Sequence, residues 1–114
     1  GNGGLFLDFE MERGADGAMT GYCFPDMLVE VVQLSRGGDR DAAHDLFDAH
    51  LPLIRYEQQP GAGLAVRKYV LQQRGILDSD AQRKPAGSLS GAARREVDYL
   101  VRRLASKDGR ARIA

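Results

Sequence analysis

The sequence predicts a mostly α-helical chain that forms one part of a larger α/β fold, and three observations carry that prediction. Residues 14–25 read as the end of a helix, a short buried strand and the start of a second helix. Elsewhere apolar residues recur every three or four positions, the period of an amphipathic helix. The single strand has no partner in the chain, and an α-β-α order is half of the alternation that builds parallel sheets. A lone parallel strand cannot make a sheet, so the chain reads as a piece of something larger.

The elements follow in order. Residues 5–13 form a first helix, with Leu5, Phe9 and Glu12 on one face and Phe6 and Leu7 widening its apolar stripe. Gly14 ends it by taking the left-handed conformation that other residues avoid. Residues 17–21 are small and mostly apolar, as suits a strand packed on both faces. Pro25 opens a second helix over residues 25–36, because its missing N–H costs nothing in the first turn. Met27, Leu28, Val31 and Val32 give that helix its buried side, and Gly37-Gly38 stop it. Asp39 caps a third helix over residues 39–56 by accepting free N–H groups of the first turn. Ala43, Leu46, Phe47, His50, Leu51 and Ile54 mark its stripe, and Pro52 inside it predicts a kink or a split. A linker over residues 58–63 leads to a fourth helix over residues 64–74, ended by Gly75. Residues 78–89 are an irregular polar connection. Ser90 caps a last helix over residues 90–105, and the polar tail from 106 to 112 is expected to fray.

Composition bounds the function. The chain has 114 residues, enough for a modest core. Its 16 basic and 16 acidic residues cancel, so no charge excess draws it to nucleic acid or to a membrane surface. No apolar run approaches the ~20 residues of a membrane-spanning helix. Cys23 is the one cysteine, which excludes an internal disulfide and fits a reducing, cytoplasmic setting. The start at Gly1, without Met or a targeting signal, fits a fragment.

Most of the polar residues read as structural. His44 and His50 lie six apart on the third helix, on different faces, and make a poor metal pair. Asp41, Asp45 and Asp48, with Arg40 nearby, read as a solvated face. Lys68 sits mid-helix beside Arg67 in an amphipathic segment, which favours a solvated or paired ammonium over a nucleophile. Cys23 reads as a small buried hydrophobe. The arginines of the last helix alternate with apolar residues, as on a surface helix.

Several motifs, taken together, resemble the last units of the dihydrodipicolinate synthase/N-acetylneuraminate lyase family. They are Gly1-Asn2-Gly3-Gly4, Arg13-Gly14-Ala15-Asp16-Gly17-Ala18-Met19-Thr20 and Phe24-Pro25. Arg36-Gly37-Gly38-Asp39 with Ala42-Ala43, then Leu51-Pro52-Leu53, Val66-Arg67-Lys68-Tyr69-Val70, Gln73-Arg74-Gly75-Ile76-Leu77 and Arg83-Lys84-Pro85 continue in the same order and spacing. The resemblance covers almost the whole chain and points to the C-terminal third of the family. It implies that residues 1–36 are the last βα units of a (β/α)8 barrel and that residues 37–114 are a helical extension. It also implies a lyase or synthase that joins pyruvate or another 2-keto acid to a lysine as a Schiff base. The family's lysine and catalytic tyrosine lie on earlier strands, so Lys68 and Tyr69 inherit neither role. No metal or separate cofactor is implied.

By the same resemblance, Asn2, Gly3 and Gly4 belong to a loop facing the substrate at the C-terminal rim of the barrel, where such enzymes keep their chemistry. A loose terminus is the plainer reading of these residues. Thr20, at the end of the strand, is placed to hold a substrate oxygen; the plainer reading is a β-branched residue filling a strand. The family often has Ser near Thr20 and Asn just before the proline. This chain has Phe24 there, and with Tyr22 it makes the region more apolar. The implied partners are a small 2-keto acid, the rest of the barrel, and further copies in a homo-oligomer. The alternative is a free-standing helical interaction domain without catalytic activity, built from the same amphipathic helices. The unpartnered strand argues against it.

Overall fold

The helices fall where the local signals put them, and their ends show why. The structure is a computed structural model that describes residues 4–82 and 89–113. It contains α1 (Leu7–Glu12), α2 (Pro25–Arg36), α3 (Arg40–Glu57), α4 (Gly63–Gln73), α5 (Gly91–Ala105) and a 3-10 turn (Gly109–Ala111). Gly38, at φ +81°, reverses the chain after α2, so that the Asp39 N–H reaches the Leu34 carbonyl at 2.9 Å. The Asp39 carboxylate then accepts the Ala42 N–H at 3.3 Å and opens α3. The Ser90 hydroxyl does the same for Ala93 at 3.1 Å and opens α5.

The longest helix, α3, is the hub: α1, α2, α4 and α5 all pack on it. Met27 and Val31 of α2, Phe47, Leu53 and Ile54 of α3, Val66 and Val70 of α4, and Val97 and Leu104 of α5 form one continuous buried cluster. Each such side chain contributes roughly 1.5–3 kcal/mol when it leaves water. α4 begins at Gly63 because of a close approach. A Cβ there would lie 2.3 Å from the Glu57 carbonyl oxygen, so only glycine fits.

Four expectations need correction. No strand forms over residues 17–21, and the described residues contain none. A strand exists through ladder hydrogen bonds, and no neighbouring segment is placed to pair with this one. Residues 15–19 are exposed, with Met19 93% accessible. In α1 the buried apolar side chains are Leu7 and Met11, one turn apart, with Asp8 buried beside them, while Phe6 and Phe9 face outward. Pro52 does not split α3, which runs through it to Glu57; the ring sits at an exposed position. The tail does not fray to its end either. Asp108 and Ala111 are buried, and the Asp108 carboxylate caps the 3-10 turn by accepting the Arg110 N–H at 3.2 Å.

Candidate functional site

The segment between α1 and α2 changes character at Thr20. Residues 15–19 are exposed, Thr20 and Gly21 are half-buried, and Tyr22, Cys23 and Phe24 are buried. Gly4 lies against this point with φ +77°, a conformation that favours glycine. A Cβ on Gly4 would meet the Thr20 methyl at 3.6 Å and Leu28 Cδ2 at 3.0 Å. The fold therefore brings together two residues that the sequence placed on one rim. Asn2 and Gly3 lie outside the described residues, as does the Arg83-Lys84-Pro85 motif. The Thr20 hydroxyl is buried and has no hydrogen-bond partner among the described residues. Arg110 Nη1 is likewise buried without a partner among the described residues, although most buried polar atoms have one.

The segment after Thr20 is held rigidly from three sides. The Arg67 guanidinium packs against Gly21, where a Cβ would lie 2.5 Å from Nη1. Arg67 Nε donates to Glu57 Oε1 at 2.7 Å, and the other Glu57 oxygen accepts the Cys23 N–H at 3.2 Å. Burial raises the Glu57 pKa, and Arg67 acts against that rise. Arg74 Nη1 donates to the Cys23 carbonyl at 2.7 Å, and its guanidinium carbon lies 4.3 Å from the centre of the Phe24 ring. Arg74 Nη2 also donates to Asp26 at 3.0 Å.

The third hold is a chain of polar groups in the core. Tyr22 Oη lies 2.8 Å from His50 Nδ1, and His50 Nε2 lies 2.7 Å from Asp108 Oδ2. A carboxylate only accepts, so Nε2 carries the proton and Nδ1 accepts from the tyrosine hydroxyl. Burial, as the dominant cause, lowers the His50 pKa, with Asp108 pulling the other way. The order hydroxyl, imidazole, carboxylate resembles a nucleophile with its base, but Tyr22 and His50 are buried out of reach of a substrate. Burial also pushes the Tyr22 hydroxyl well above its ordinary range. The same cause pushes up the Cys23 thiol, which is buried as expected.

The remaining candidates separate cleanly. His44 is half-buried on a different face of α3 from His50. Its two ring nitrogens face Asp8 at 3.2 Å and Glu12 at 2.6 Å, and the bond to Glu12 raises its pKa. No cluster of potential metal ligands occurs among the described residues. Lys68 Nζ donates to the Ala81 carbonyl at 3.0 Å, as a surface lysine does. A cleft of about 460 Å³ between α4, α5 and the tail is lined by Tyr69, Asp98 and Val101 and touches neither Gly4 nor Thr20. A second, mostly apolar groove of about 530 Å³ lies between α1 and α3, lined by Phe6, Phe9, Phe47 and Leu51. No described helix is long and apolar enough to cross a membrane.

No protein-family model matches the chain. Among curated proteins, L-2-keto-3-deoxyarabonate dehydratase of Azospirillum brasilense is 34% identical over 95 residues, which is 83% of this chain and 30% of that protein. Among solved structures, dihydrodipicolinate synthase of Rhodopseudomonas palustris is 76% identical. It superposes with a TM-score of 0.87 over 90% of this chain and 34% of that one. The chain thus spans about a third of the length of both relatives.

Proposed function

We propose that this chain, which belongs to the dihydrodipicolinate synthase family and carries its C-terminal part, completes the substrate rim of a (β/α)8 lyase acting on a 2-keto acid. Residues 1–36 are the last βα units and residues 37–114 the helical extension that braces them. The observation that carries this reading is the unpartnered hydroxyl of Thr20, buried beside Gly4 at the turn into α2. Asn2, Gly3, Gly4 and Thr20 contact the substrate; the chemistry is done elsewhere in the barrel. There a lysine amine displaces the oxygen of the keto group as water. The resulting imine accepts the electron pair released at the neighbouring carbon. The dehydratase relative, named for a 2-keto-3-deoxy acid, supports that substrate class. The whole protein is a cytoplasmic homo-oligomer, and exposed Phe6, Phe9 and Met19 belong to the surface that its remaining segments or a second copy cover.

Borohydride trapping tests this reading. The whole protein incubated with pyruvate and borohydride should gain one covalent adduct, on a lysine outside this chain. The 114-residue chain alone should gain none, because Lys68 is held on the surface by a main-chain carbonyl. An adduct on Lys68, or no adduct in the whole protein, overturns it.

A further inference from the structure

Three separated parts of the chain converge on one imidazole. Tyr22 comes from the segment that carries Thr20, His50 from the middle of α3, and Asp108 from the C-terminal turn, 58 residues beyond His50. Asp108 is itself fixed. Its second oxygen faces Arg110 Nε at 3.2 Å, and Arg110 is paired with Glu30 of α2. Phe24 packs edge-on against the same imidazole with ring centres 5.3 Å apart, and Tyr22 does so at 5.7 Å.

We propose that His50 is a positioning residue that transmits the hold of the C-terminal turn, through Asp108, to Tyr22, and so fixes the segment that presents Thr20. The chain of bonds has one direction of dependence. Asp108 sets the tautomer by accepting from Nε2, and only that tautomer leaves Nδ1 free to accept the Tyr22 hydroxyl. Without an acceptor at position 108 the ring is free to turn or to move its proton. Tyr22 then loses its partner in a dry site, where an unmade hydrogen bond is costly. The C-terminal turn is thereby part of the rim's support, although it lies far from Thr20 in sequence. The consequence for a substrate at Thr20 rests on the reading in the preceding subsection; the mechanical coupling does not.

Hydrogen exchange at the Cys23 amide, measured in the whole protein, reads the coupling without requiring activity. That amide is held by Glu57 and sits next to Tyr22. Tyr22→Phe keeps the ring packing and removes only the hydroxyl, and Asp108→Ala removes the acceptor. Each should speed Cys23 exchange by about 5- to 150-fold, the equivalent of losing about 1–3 kcal/mol of local protection. Asp108→Asn, which keeps an acceptor oxygen, should restore protection to within a few-fold of the parent. Amides in the middle of α5 serve as the reference and should not change. Unchanged Cys23 exchange in Tyr22→Phe overturns the proposal, and so does an equal acceleration in α5, which would mean general loosening. Failure of pyruvate trapping with these exchange results intact would remove the enzyme reading and leave the positioning role standing.

Discussion

Residues 4–20 and the helices α3 to α5 are built on different terms. The helical part is closed. Phe47, Leu53 and Ile54 are buried among side chains of the same chain, and its buried charges have partners: Glu57 has Arg67, and Asp108 has His50. The first part is open. Phe6, Phe9 and Met19 face outward, and Thr20 buries a hydroxyl that nothing described satisfies. The difference shows in the phenylalanines: Phe6 and Phe9 are exposed, whereas Phe47 is buried by its own chain.

The sharpest way to break this comparison is to truncate one phenylalanine in each region. Phe47→Ala in the 114-residue chain should cost about 3–5 kcal/mol of stability, since the ring is fully buried and leaves a cavity. Phe6→Ala should change the same chain by about 0.5 kcal/mol or less, because its ring is 62% exposed. In the whole protein Phe6→Ala should cost several times more. Thermal melts on both forms decide the matter; a Phe6→Ala effect that is equally small in both would mean the open face is merely exposed.

A smaller effect probes the rim itself. Thr20→Val keeps the shape and removes the hydroxyl. In the whole protein, kcat/KM for the 2-keto acid should fall about 5- to 150-fold, the counterpart of about 1–3 kcal/mol for an unpaired polar group. The melting temperature should hardly move or should rise, because the variant no longer buries an unpartnered hydroxyl. An unchanged kcat/KM would make Thr20 a packing residue and end its role at the rim.

The mildest test sets the two histidines of α3 against each other. His44 faces Asp8 and Glu12 of the open part and has a raised pKa. Its contribution to stability is therefore full below the ordinary value of 6.5 and is lost as pH rises through its folded value. His50 belongs to the closed side and has a lowered pKa. Its contribution is present above 6.5 and is lost as pH falls through its folded value. Ring-proton titration by NMR should place the two midpoints on opposite sides of 6.5. Coinciding midpoints would show that the two environments do not differ as described.

Some of this was legible in the residues. Pro25, Asp39, Ser90 and the glycines after α1, α2 and α4 act within a few residues of their own positions, so local sequence determined these helix ends. The apolar period of α3 likewise placed Phe47 and Ile54 in the core, and it placed His50 there too. A histidine in an apolar stripe implies a buried partner, and that signal was present even though the partner was not identifiable. The resemblance to a longer family was also readable from the chain. Only the tertiary structure decided the rest. Whether residues 17–21 become a strand depends on neighbours that must supply ladder bonds, and strand propensity cannot create them. Which face of α1 is buried depends on where α2 and α3 lie, since Leu7 and Phe9 are equally apolar as letters. That the polar tail is anchored depends on Asp108 reaching His50 across 58 residues, a contact set by the packing of α5 on α3 and by no local rule.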